Sequence, residues 1–431
     1  MNIKRWIVVL CMMILVISGC SSTATVDRWH ADEEDTIELT LWSIAIEGDA
    51  FHAANLRAIE IFEENHQGVT IQFETFDNET YKTMIRLAVA TNELSDVFFT
   101  WGGGFSKPFI TAGKVLDVTD FYEAYQAYLP LPMLDNVSFD GRIFGSVFTT
   151  SISMMFYNQR IFREHNLQAP TTWEEWLVVC QALLDAGITP MSISGKETWV
   201  LAMLHDGLAL LSAGPKQVQQ ALYTGEKSYN SAYFLASAQM LRYLVEMGAF
   251  SRRAVRMSND DAVREFCNGE TAMFITGSWA ASSIWTDAEE PTDFGVVPIP
   301  GPENGGIPRK DFMGGASDAL MAFAYTEHPK LAATAVFELT REISRYAYLD
   351  GAAIPAWKFE IDGYELNPLT QRMETFVANA DSFTPWFDTL LMAEDADVYL
   401  SLLAELFMGM ITAEEFVIAM DQQLSQRRLH N

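Results

Sequence analysis

The sequence contains few cysteines and histidines, the residues on which disulfide frameworks and most transition-metal sites depend. Its 431 residues include 4 cysteines and 7 histidines, and neither Cys-x-x-Cys nor His-x-x-x-His spacing occurs. We therefore expect neither a metal site nor any other cofactor. Cys180 and Cys267 lie on the apolar faces of predicted helices, where a buried thiol is the usual state and a disulfide between them is the alternative.

Basic residues are also scarce. The chain carries 28 lysines and arginines against 57 aspartates and glutamates, which gives a net charge of −29. A surface of this sign repels phosphate backbones and anionic lipid headgroups, so the sequence disfavours nucleic acid and the membrane surface itself as direct partners. A neutral ligand suits this charge better than an anionic one.

Motifs for nucleotide binding and for the commonest hydrolases are absent. The glycines that follow Trp101 lack both the Gly-x-Gly-x-x-Gly pattern of a dinucleotide site and the Gly-Lys-Ser/Thr of a phosphate loop. No Gly-x-Ser-x-Gly nucleophile elbow occurs either. We expect these glycines to make the segment flexible and to leave its backbone accessible beside the Trp101 indole.

The apolar run near the amino terminus, Ile7 to Ile17, is too short to span a bilayer as a helix. It follows two basic residues, as in an export signal. The next residues, Ile17-Ser18-Gly19-Cys20, resemble the lipobox of bacterial lipoproteins, in which the cysteine is acylated. This resemblance implies a signal peptide over residues 1–19 and a lipid anchor on Cys20.

The residues after Cys20 are polar, acidic and without periodicity, so residues 20–35 are predicted to be a flexible tether. The resulting location is extracytoplasmic, with the chain lipid-anchored to the outer face of the bacterial cell membrane. An uncleaved membrane anchor is the alternative, and it also keeps the rest of the chain outside the cytoplasm.

Strand-like and helix-like segments alternate in the first part of the remaining chain. Ile37 to Trp42, Val69 to Phe73 and Asp96 to Phe99 are predicted strands, whereas Phe51 to His66 and Tyr81 to Thr91 have helical spacing. This alternation predicts a parallel sheet with right-handed crossovers. Ligands of such sheets bind beyond the carboxyl ends of the strands.

The segment that ends at Trp279 is the most informative part of the sequence. Asp260 or Asp261 is predicted to cap a helix that ends at Gly269, and Ala272 to Ile275 is a predicted strand. Gly277 has no side chain, which allows the backbone or a ligand to approach the indole closely. A flat indole at the exit of a buried strand suits a sugar ring, and a core tryptophan is the alternative.

Two capping boxes predict further scaffold helices. Thr172 and Glu175 form one, and the apolar positions after it follow a single stripe down the predicted helix. Thr412 and Glu415 form the other and predict a terminal helix over residues 413–424.

A set of motifs in a fixed order extends over nearly the whole predicted mature chain. These motifs are Ser95–Phe99, Gly113–Asp117, Gly141–Gly145, Phe156–Asn158, Pro170–Glu175, Phe266–Trp279, Pro298–Gly301, Gly314–Gly315 and Gly351–Pro355. The ordered set resembles the extracellular solute-binding proteins of bacterial ABC importers, in the large cluster that includes the maltodextrin-binding and other oligosaccharide-binding proteins.

The resemblance implies an α/β fold of the two-lobe, type II periplasmic-binding-protein-like kind. Each lobe is expected to be a mainly parallel sheet flanked by helices, with the ligand cleft between the lobes. Lobe 1 would hold residues 36–148 plus 313–365, and lobe 2 residues 149–312 plus 366–428. The resemblance also implies a monomer that captures a neutral mono- or oligosaccharide without catalysis and delivers it to the transmembrane subunits of an ABC permease.

Aromatic side chains dominate the expected site, because sugars present apolar C–H faces to flat rings. Trp101 and Trp279 stand where the maltodextrin-binding relatives carry stacking tryptophans. Trp386 falls in the region of another such tryptophan, and Trp199 and Trp357 are expected at the rim of the site.

Polar groups are expected to bind the sugar hydroxyls. Glu47, after the first predicted strand, is the candidate carboxylate, with a solvated loop acid as the alternative. Gly315, with its neighbour Gly314, would offer backbone groups. Ser151 aligns with a position where maltodextrin binders carry a glutamate, and this departure favours a sugar other than maltose.

Two other functions remain as alternatives. A secreted glycoside hydrolase would also carry cleft tryptophans, but it requires two carboxylates about 5 to 9 Å apart, which a sequence does not reveal. A ligand sensor would use the same lobes without transport.

Overall fold

The computed structural model describes residues 36–301, 310–361 and 363–430. The predicted signal peptide, residues 1–19, and the predicted tether, residues 20–35 with Cys20, lie outside the described residues.

The strands fall into two large sheets and one small hairpin. They are β1 (Ile37–Ser43), β2 (Val69–Thr75), β3 (Val97–Thr100), β4 (Ser138–Phe139), β5 (Arg142–Ile143), β6 (Gly145–Val147), β7 (Thr149–Asn158), β8 (Thr189–Ser192), β9 (Thr271–Gly277), β10 (Phe294–Val297), β11 (Asp311–Ala316), β12 (Ala319–Ala322), β13 (Ile354–Pro355) and β14 (Ser382–Thr384).

The helices flank these sheets. They are α1 (His52–Asn65), α2 (Asn78–Thr91), α3 (Gly103–Thr111), α4 (Thr119–Tyr122), α5 (Gln159–Glu164), α6 (Trp173–Asp185), α7 (Thr198–Ala213), α8 (Pro215–Val218), α9 (Ala232–Glu246), α10 (Asn259–Cys267), α11 (Ala280–Asp287), α12 (Pro329–Leu349), α13 (Pro368–Val377), α14 (Phe387–Leu390), α15 (Ala393–Met408) and α16 (Ala413–His430).

The first sheet has the strand order β2-β1-β3-β12-β6. β1 pairs in parallel with β2 and β3, so the parallel arrangement predicted from the strand–helix alternation is confirmed. β12 and β6 are antiparallel additions at the other edge of the sheet. α2 begins three residues earlier than predicted, because the Asp77 side chain accepts a hydrogen bond from the backbone N–H of Thr80 at 3.0 Å and caps the helix.

The second sheet is built on the long strand β7, whose residues are almost all buried. Its first half pairs with β11 and β13, and its second half pairs with β9 and β10. All four neighbours run antiparallel to β7, whereas β8 and β14 add in parallel at the two edges. The second sheet is therefore mixed.

Separate hydrophobic clusters support the two sheets. One cluster, which includes Leu41, Phe98 and Phe337, surrounds the first sheet. On β7, Met154 and Phe156 belong to a second cluster, while Met155 between them belongs to a third. Alternate residues of a strand point to opposite faces, so these two clusters cover the two faces of the second sheet. We call the parts built on the two sheets the first and the second lobe.

The chain passes between the lobes through short connections. Phe148 is the single residue between β6 of the first sheet and β7 of the second, and Ser317–Asp318 connect β11 to β12. The backbone N–H of Phe148 donates to the carbonyl of Asp318 at 3.0 Å, so the two connections are hydrogen-bonded to each other. The side chain of Phe148 packs in the cluster of the first sheet.

The predicted capping boxes are present in the structure. The Thr172 hydroxyl accepts from the N–H of Glu175 at 3.2 Å, and the Glu175 carboxylate accepts from the N–H of Thr172 at 3.3 Å. Thr412 and Glu415 make the same exchange before α16. The predicted cap of α10 was wrong, because Ser258 caps this helix and Asp261 is the third residue of its capping box.

Candidate functional site between the lobes

Trp279 lies where the chain leaves β9, as the sequence predicted. Each residue of β9 is buried, so the strand is anchored in the second lobe. A Cβ atom added at Gly277 would lie 2.2 Å from atoms of the Trp279 ring. The close approach that Gly277 permits is thus made by the indole itself, which folds back onto the strand.

Three tryptophans of the second lobe form a contiguous group, which we call the tryptophan triad. The Trp279 ring is 6.2 Å from that of Trp199 and 5.9 Å from that of Trp386, at interplanar angles of 52° and 65°. Trp199 and Trp279 are half-buried, and Trp386 is buried. The structure thus brings together three of the five tryptophans expected at the site.

The indole nitrogens of the triad are held differently. Trp386 Nε1 donates to the hydroxyl of Ser153 at 2.7 Å, and Ser153 lies opposite Gly277 in the β7–β9 pair. Trp199 Nε1 is buried but has no hydrogen-bond partner among the described residues. A buried donor without a partner costs free energy.

A buried polar chain fixes the segment that carries Trp386. The Asp206 carboxyl accepts from the backbone N–H of Phe387 at 2.8 Å and is hydrogen-bonded to the Tyr399 hydroxyl. His205 Nδ1 lies 2.8 Å from that hydroxyl, and its Nε2 lies 3.2 Å from the hydroxyl of Ser237. All of these side chains are buried.

The protonation states of these hydrogen-bonded side chains follow from their burial. Burial raises the pKa of Asp206, and the hydrogen bonds from Tyr399 and Phe387 oppose that rise only in part. Burial also lowers the pKa of His205 to about 3, so the imidazole is neutral. The Tyr399 hydroxyl donates to Asp206, and the neutral imidazole of His205 can donate from Nδ1 to that hydroxyl, so the three side chains satisfy one another.

Trp101 belongs to the first lobe and is half-buried there. Its ring contacts those of Phe99 and Phe105, both at 4.9 Å, and the Lys82 ammonium lies 5.4 Å from its centroid. The Lys82 charge also influences the pKa of Asp388 in the second lobe. Burial raises the pKa of Asp388, and the Lys82 charge opposes that rise. Lys82 therefore links the Trp101 side of the cleft to the chain segment that follows Trp386.

Two neighbouring carboxyl groups of the first lobe, Asp49 and Asp318, have raised pKa values. Burial raises the pKa of Asp49, and the charge of Asp260 in the second lobe raises it further, whereas the Phe51 N–H at 2.8 Å opposes the rise. Burial and the Asp49 charge raise the pKa of Asp318 to about 7. Asp49 nevertheless keeps an exposed surface, and Asp318 is half-buried.

Glu47, the predicted carboxylate, is exposed two residues before Asp49. Both follow the carboxyl end of β1. The sequence position just after the first predicted strand could therefore have identified Asp49 as well as Glu47. Asp318 was missed because a connection between two strands has no periodicity to mark it. Ser153, Lys82 and Asp388 were also missed, and each depends on contacts between segments distant in sequence.

The remaining predicted site residues lie at or behind the interlobe connections. Ser151 is buried on β7 and pairs with Gly315 of β11. Gly315 has a φ of +129°, a backbone conformation that favours glycine. Trp357 lies in the first-lobe core, where its Nε1 donates to the Val147 carbonyl at 2.8 Å. The structure thus does not bring Trp357 to the triad.

The two cysteines of the described chain are free, so a disulfide between them is not formed. Cys180 and Cys267 are buried in different hydrophobic clusters, and burial raises the pKa of each thiol to about 12. Within residues 36–301, 310–361 and 363–430, no group of His, Cys, Asp or Glu side chains could hold a metal ion. In the same segments, no helix combines the length and apolarity needed to cross a membrane.

Known proteins resemble this chain over most of its length. An ABC transporter extracellular-binding protein of Pyrococcus horikoshii is 27% identical over 96% of this chain and 95% of its own. The multiple sugar-binding protein of Streptococcus mutans is 24% identical over 73% of this chain and 74% of its own.

A solved structure extends the comparison to three dimensions. It comes from a study of xylan utilization by the thermophilic bacterium Caldanaerobius polysaccharolyticus and superposes with a TM-score of 0.86. It is 32% identical and covers 90% of this chain and 100% of that chain. The family model of the bacterial extracellular solute-binding proteins matches residues 43–340. This chain belongs to that family.

Proposed function

We propose that the protein captures a neutral sugar or oligosaccharide between its lobes and delivers it to the membrane subunits of an ABC importer. The tryptophan triad carries this proposal. Trp199 and Trp279 keep part of their surface accessible and offer flat apolar faces of the kind that stack on sugar rings, while the buried Trp386 packs against Trp279.

The polar groups around the triad suit a hydroxyl-rich, uncharged ligand. Asp49 and Asp318 on the first lobe can accept hydrogen bonds from sugar hydroxyls, and the free Trp199 N–H can donate one. Glu47, Trp101, Ser151 and Gly315 complete the site that we propose. A net charge of −29 disfavours an anionic ligand.

The names of the relatives agree with this ligand class. One relative is a multiple sugar-binding protein, and the xylan-utilization structure shares 32% identity with this chain. We infer that the cleft binds without catalysis, that a lipid on Cys20 holds the protein at the outer face of the membrane, and that it acts as a monomer. We also propose the lobe boundaries 36–148 plus 313–365 and 149–312 plus 366–428, although residues 314–316 and 354–355 of the first set pair with β7 of the second sheet.

The test is a calorimetric titration of the purified protein with a panel of neutral mono- and oligosaccharides. Removal of a central aromatic anchor costs about 2 kcal/mol or more, so Trp279→Ala should weaken binding at least roughly thirtyfold. Trp173→Phe is the matched control, because Trp173 packs on Trp176 in α6, away from the triad. Equal affinities of Trp279→Ala and the wild type would refute the triad as the site.

A second measurement separates binding from turnover. After long incubation, chromatography should recover the sugar intact, because we infer capture rather than hydrolysis. Release of shorter fragments would refute that inference and favour a glycoside hydrolase. A ligand at 100 times its dissociation constant should also raise the free energy of unfolding by about 2.7 kcal/mol, which a thermal-shift screen detects.

A further inference from the structure

The glycines after Trp101 pack directly on the backbone of the second lobe. A Cβ atom at Gly104 would lie 2.4 Å from the carbonyl oxygen of Leu390 and 2.5 Å from that of Leu391. At Gly103 the nearest atom would be the carbonyl oxygen of Thr389, at 3.1 Å. We call the contact of Gly103 and Gly104 with Thr389–Leu391 the glycine seam.

Both sides of the glycine seam are firmly anchored. On the second lobe, Phe387 and Leu391 are buried, and Asp206 holds the N–H of Phe387. On the first lobe, the hydroxyls of Thr100 and Ser106 are hydrogen-bonded across the turn that the glycines form. Because both sides are tightly packed, neither can move aside for an added side chain without a loss of stability.

Charge pairs accompany the glycine seam. Arg86 of α2 lies 3.2 Å from Asp397 of α15, and Lys82 attracts Asp388. Each pair joins a cation of the first lobe to a carboxylate of the second. Electrostatic attraction thus favours the lobe arrangement in which the seam is formed.

The glycine seam borders an outer groove of about 2010 Å³, because Gly103, Gly104 and Leu390 line it together with residues of both lobes that include Lys107, Lys216, Tyr223 and Phe383. Trp101 lies two residues before Gly103, and Trp386 lies immediately before Phe387. None of the five tryptophans named above, all within the described segments, lines this groove.

We propose that the glycine seam is an end wall of the sugar cleft and restricts the ligand to short oligosaccharides. This proposal rests on the proposed sugar-binding function. Because the seam has no room for a single methyl group, a sugar chain that extends past Trp101 and Trp386 cannot reach the outer groove while the lobes are in contact. A longer ligand can bind only if it holds the seam open.

The variant Gly104→Ala tests the wall. Gly104 does not have a positive φ, so alanine adds a methyl group without backbone strain. Normal carbon contacts are about 3.5 Å or longer, so the lobes must separate by about 1 Å at the seam. Such overpacking should weaken the binding of short ligands roughly tenfold or more. Gly113→Ala, just after the end of the same helix, is the control: its φ of +67° makes alanine strained, but no atom lies within 4 Å of the added Cβ, so this variant should lose stability without separating the lobes.

The readout is the dependence of affinity on ligand length, from disaccharide to hexasaccharide, in xylan-derived and glucan-derived series. For the wild type and Gly113→Ala, we expect affinity to fall at least roughly tenfold beyond the length that fills the cleft. For Gly104→Ala, we expect weaker binding of the short members and a flatter dependence on length. Wild-type affinity that stays constant or rises up to the hexasaccharide would overturn the proposal.

A ligand-independent measurement distinguishes this proposal from the sugar assignment. Spin labels on Lys107→Cys and Lys216→Cys, two exposed positions on opposite walls of the outer groove, report the separation of the lobes. Gly104→Ala should lengthen this distance, whereas Gly113→Ala should not. If no sugar binds, the assigned ligand class is wrong, and an unchanged label distance in Gly104→Ala independently overturns the glycine seam.

Discussion

Gly277 determines where the Trp279 indole can lie. The ring occupies the space that a side chain at position 277 would fill, 2.2 Å from an added Cβ. Because Trp279 contacts both Trp199 and Trp386, a change at Gly277 acts on the whole triad. Gly277 is therefore as important for the proposed site as Trp279.

For Gly277→Ala, we expect displacement of the indole and sugar binding weakened roughly tenfold or more, as overpacking costs about 1–3 kcal/mol. Calorimetry and the tryptophan emission spectrum check this. Gly187→Ala is the control: its φ of +76° makes alanine strained, but no atom lies within 4 Å of the added Cβ. This control should lose stability and keep its affinity. An unchanged emission spectrum in Gly277→Ala would contradict the described packing.

Asp318→Asn should make stability less dependent on pH. The pKa of Asp318 is raised from 3.8 to about 7 by burial and the Asp49 charge, so the folded protein retains a proton that the unfolded chain loses. Wild-type stability from this group therefore falls as the pH rises from about 4 to 7. The amide that replaces the carboxyl group cannot ionise, so the variant should gain about 1 to 4 kcal/mol on the wild type over that interval.

Urea unfolding at a series of pH values measures this difference. Below pH 4 and above pH 7, the difference between variant and wild type should be constant, because Asp318 then has the same charge in both states. Asp381→Asn, at an exposed position, serves as the control substitution. If the stability of Asp318→Asn relative to the wild type decreases as the pH rises, the raised pKa assigned to Asp318 is wrong.

At the scale of elements, β7 connects the scaffold to the site. Its first half meets β11 and β13 near the interlobe connections, and its second half meets β9, which leads to Trp279. Ser153, at the middle of the strand, holds the Trp386 indole. One strand thus fixes two members of the triad relative to the connections between the lobes.

The capping box of α6 should contribute measurably to stability. Thr172→Ala removes the hydroxyl that accepts from the Glu175 N–H, which typically costs about 1 kcal/mol. Urea unfolding should show this loss. Thr172→Ser retains the hydroxyl and should stay close to the wild type. Because α6 lies outside the proposed site, sugar affinity should not change, and an affinity loss would show that α6 influences the cleft.

At the scale of the whole molecule, the proposal that a lipid on Cys20 anchors the protein can be tested directly. Cys20→Ala should abolish acylation and shift the protein from the membrane fraction to the medium or the soluble extracytoplasmic fraction. Cell fractionation and metabolic labelling with a fatty-acid analogue measure both effects. Cys180→Ala is the matched control, because Cys180 is buried in the second lobe and should not be acylated. A variant that remains membrane-bound would favour an uncleaved anchor.

The fold could largely be predicted, because strands and helices have local signals. The strand–helix alternation of residues 37–99 gave the parallel half of the first sheet, and the capping boxes at Thr172 and Thr412 gave the starts of two helices. The antiparallel neighbours of β7 had no such signal, because pairing between distant strands is decided by which surfaces can be buried together.

The sequence by itself determined the family, the acidic surface and the position of Trp279 at the end of a buried strand. These follow from composition and from patterns within single segments. Only the tertiary structure decided that Trp199 and Trp386 join Trp279, that Trp357 stays in the first core, and that Gly104 meets the backbone of Leu390 and Leu391. Each of these depends on the docking of segments far apart in the chain, and no local pattern encodes such contacts.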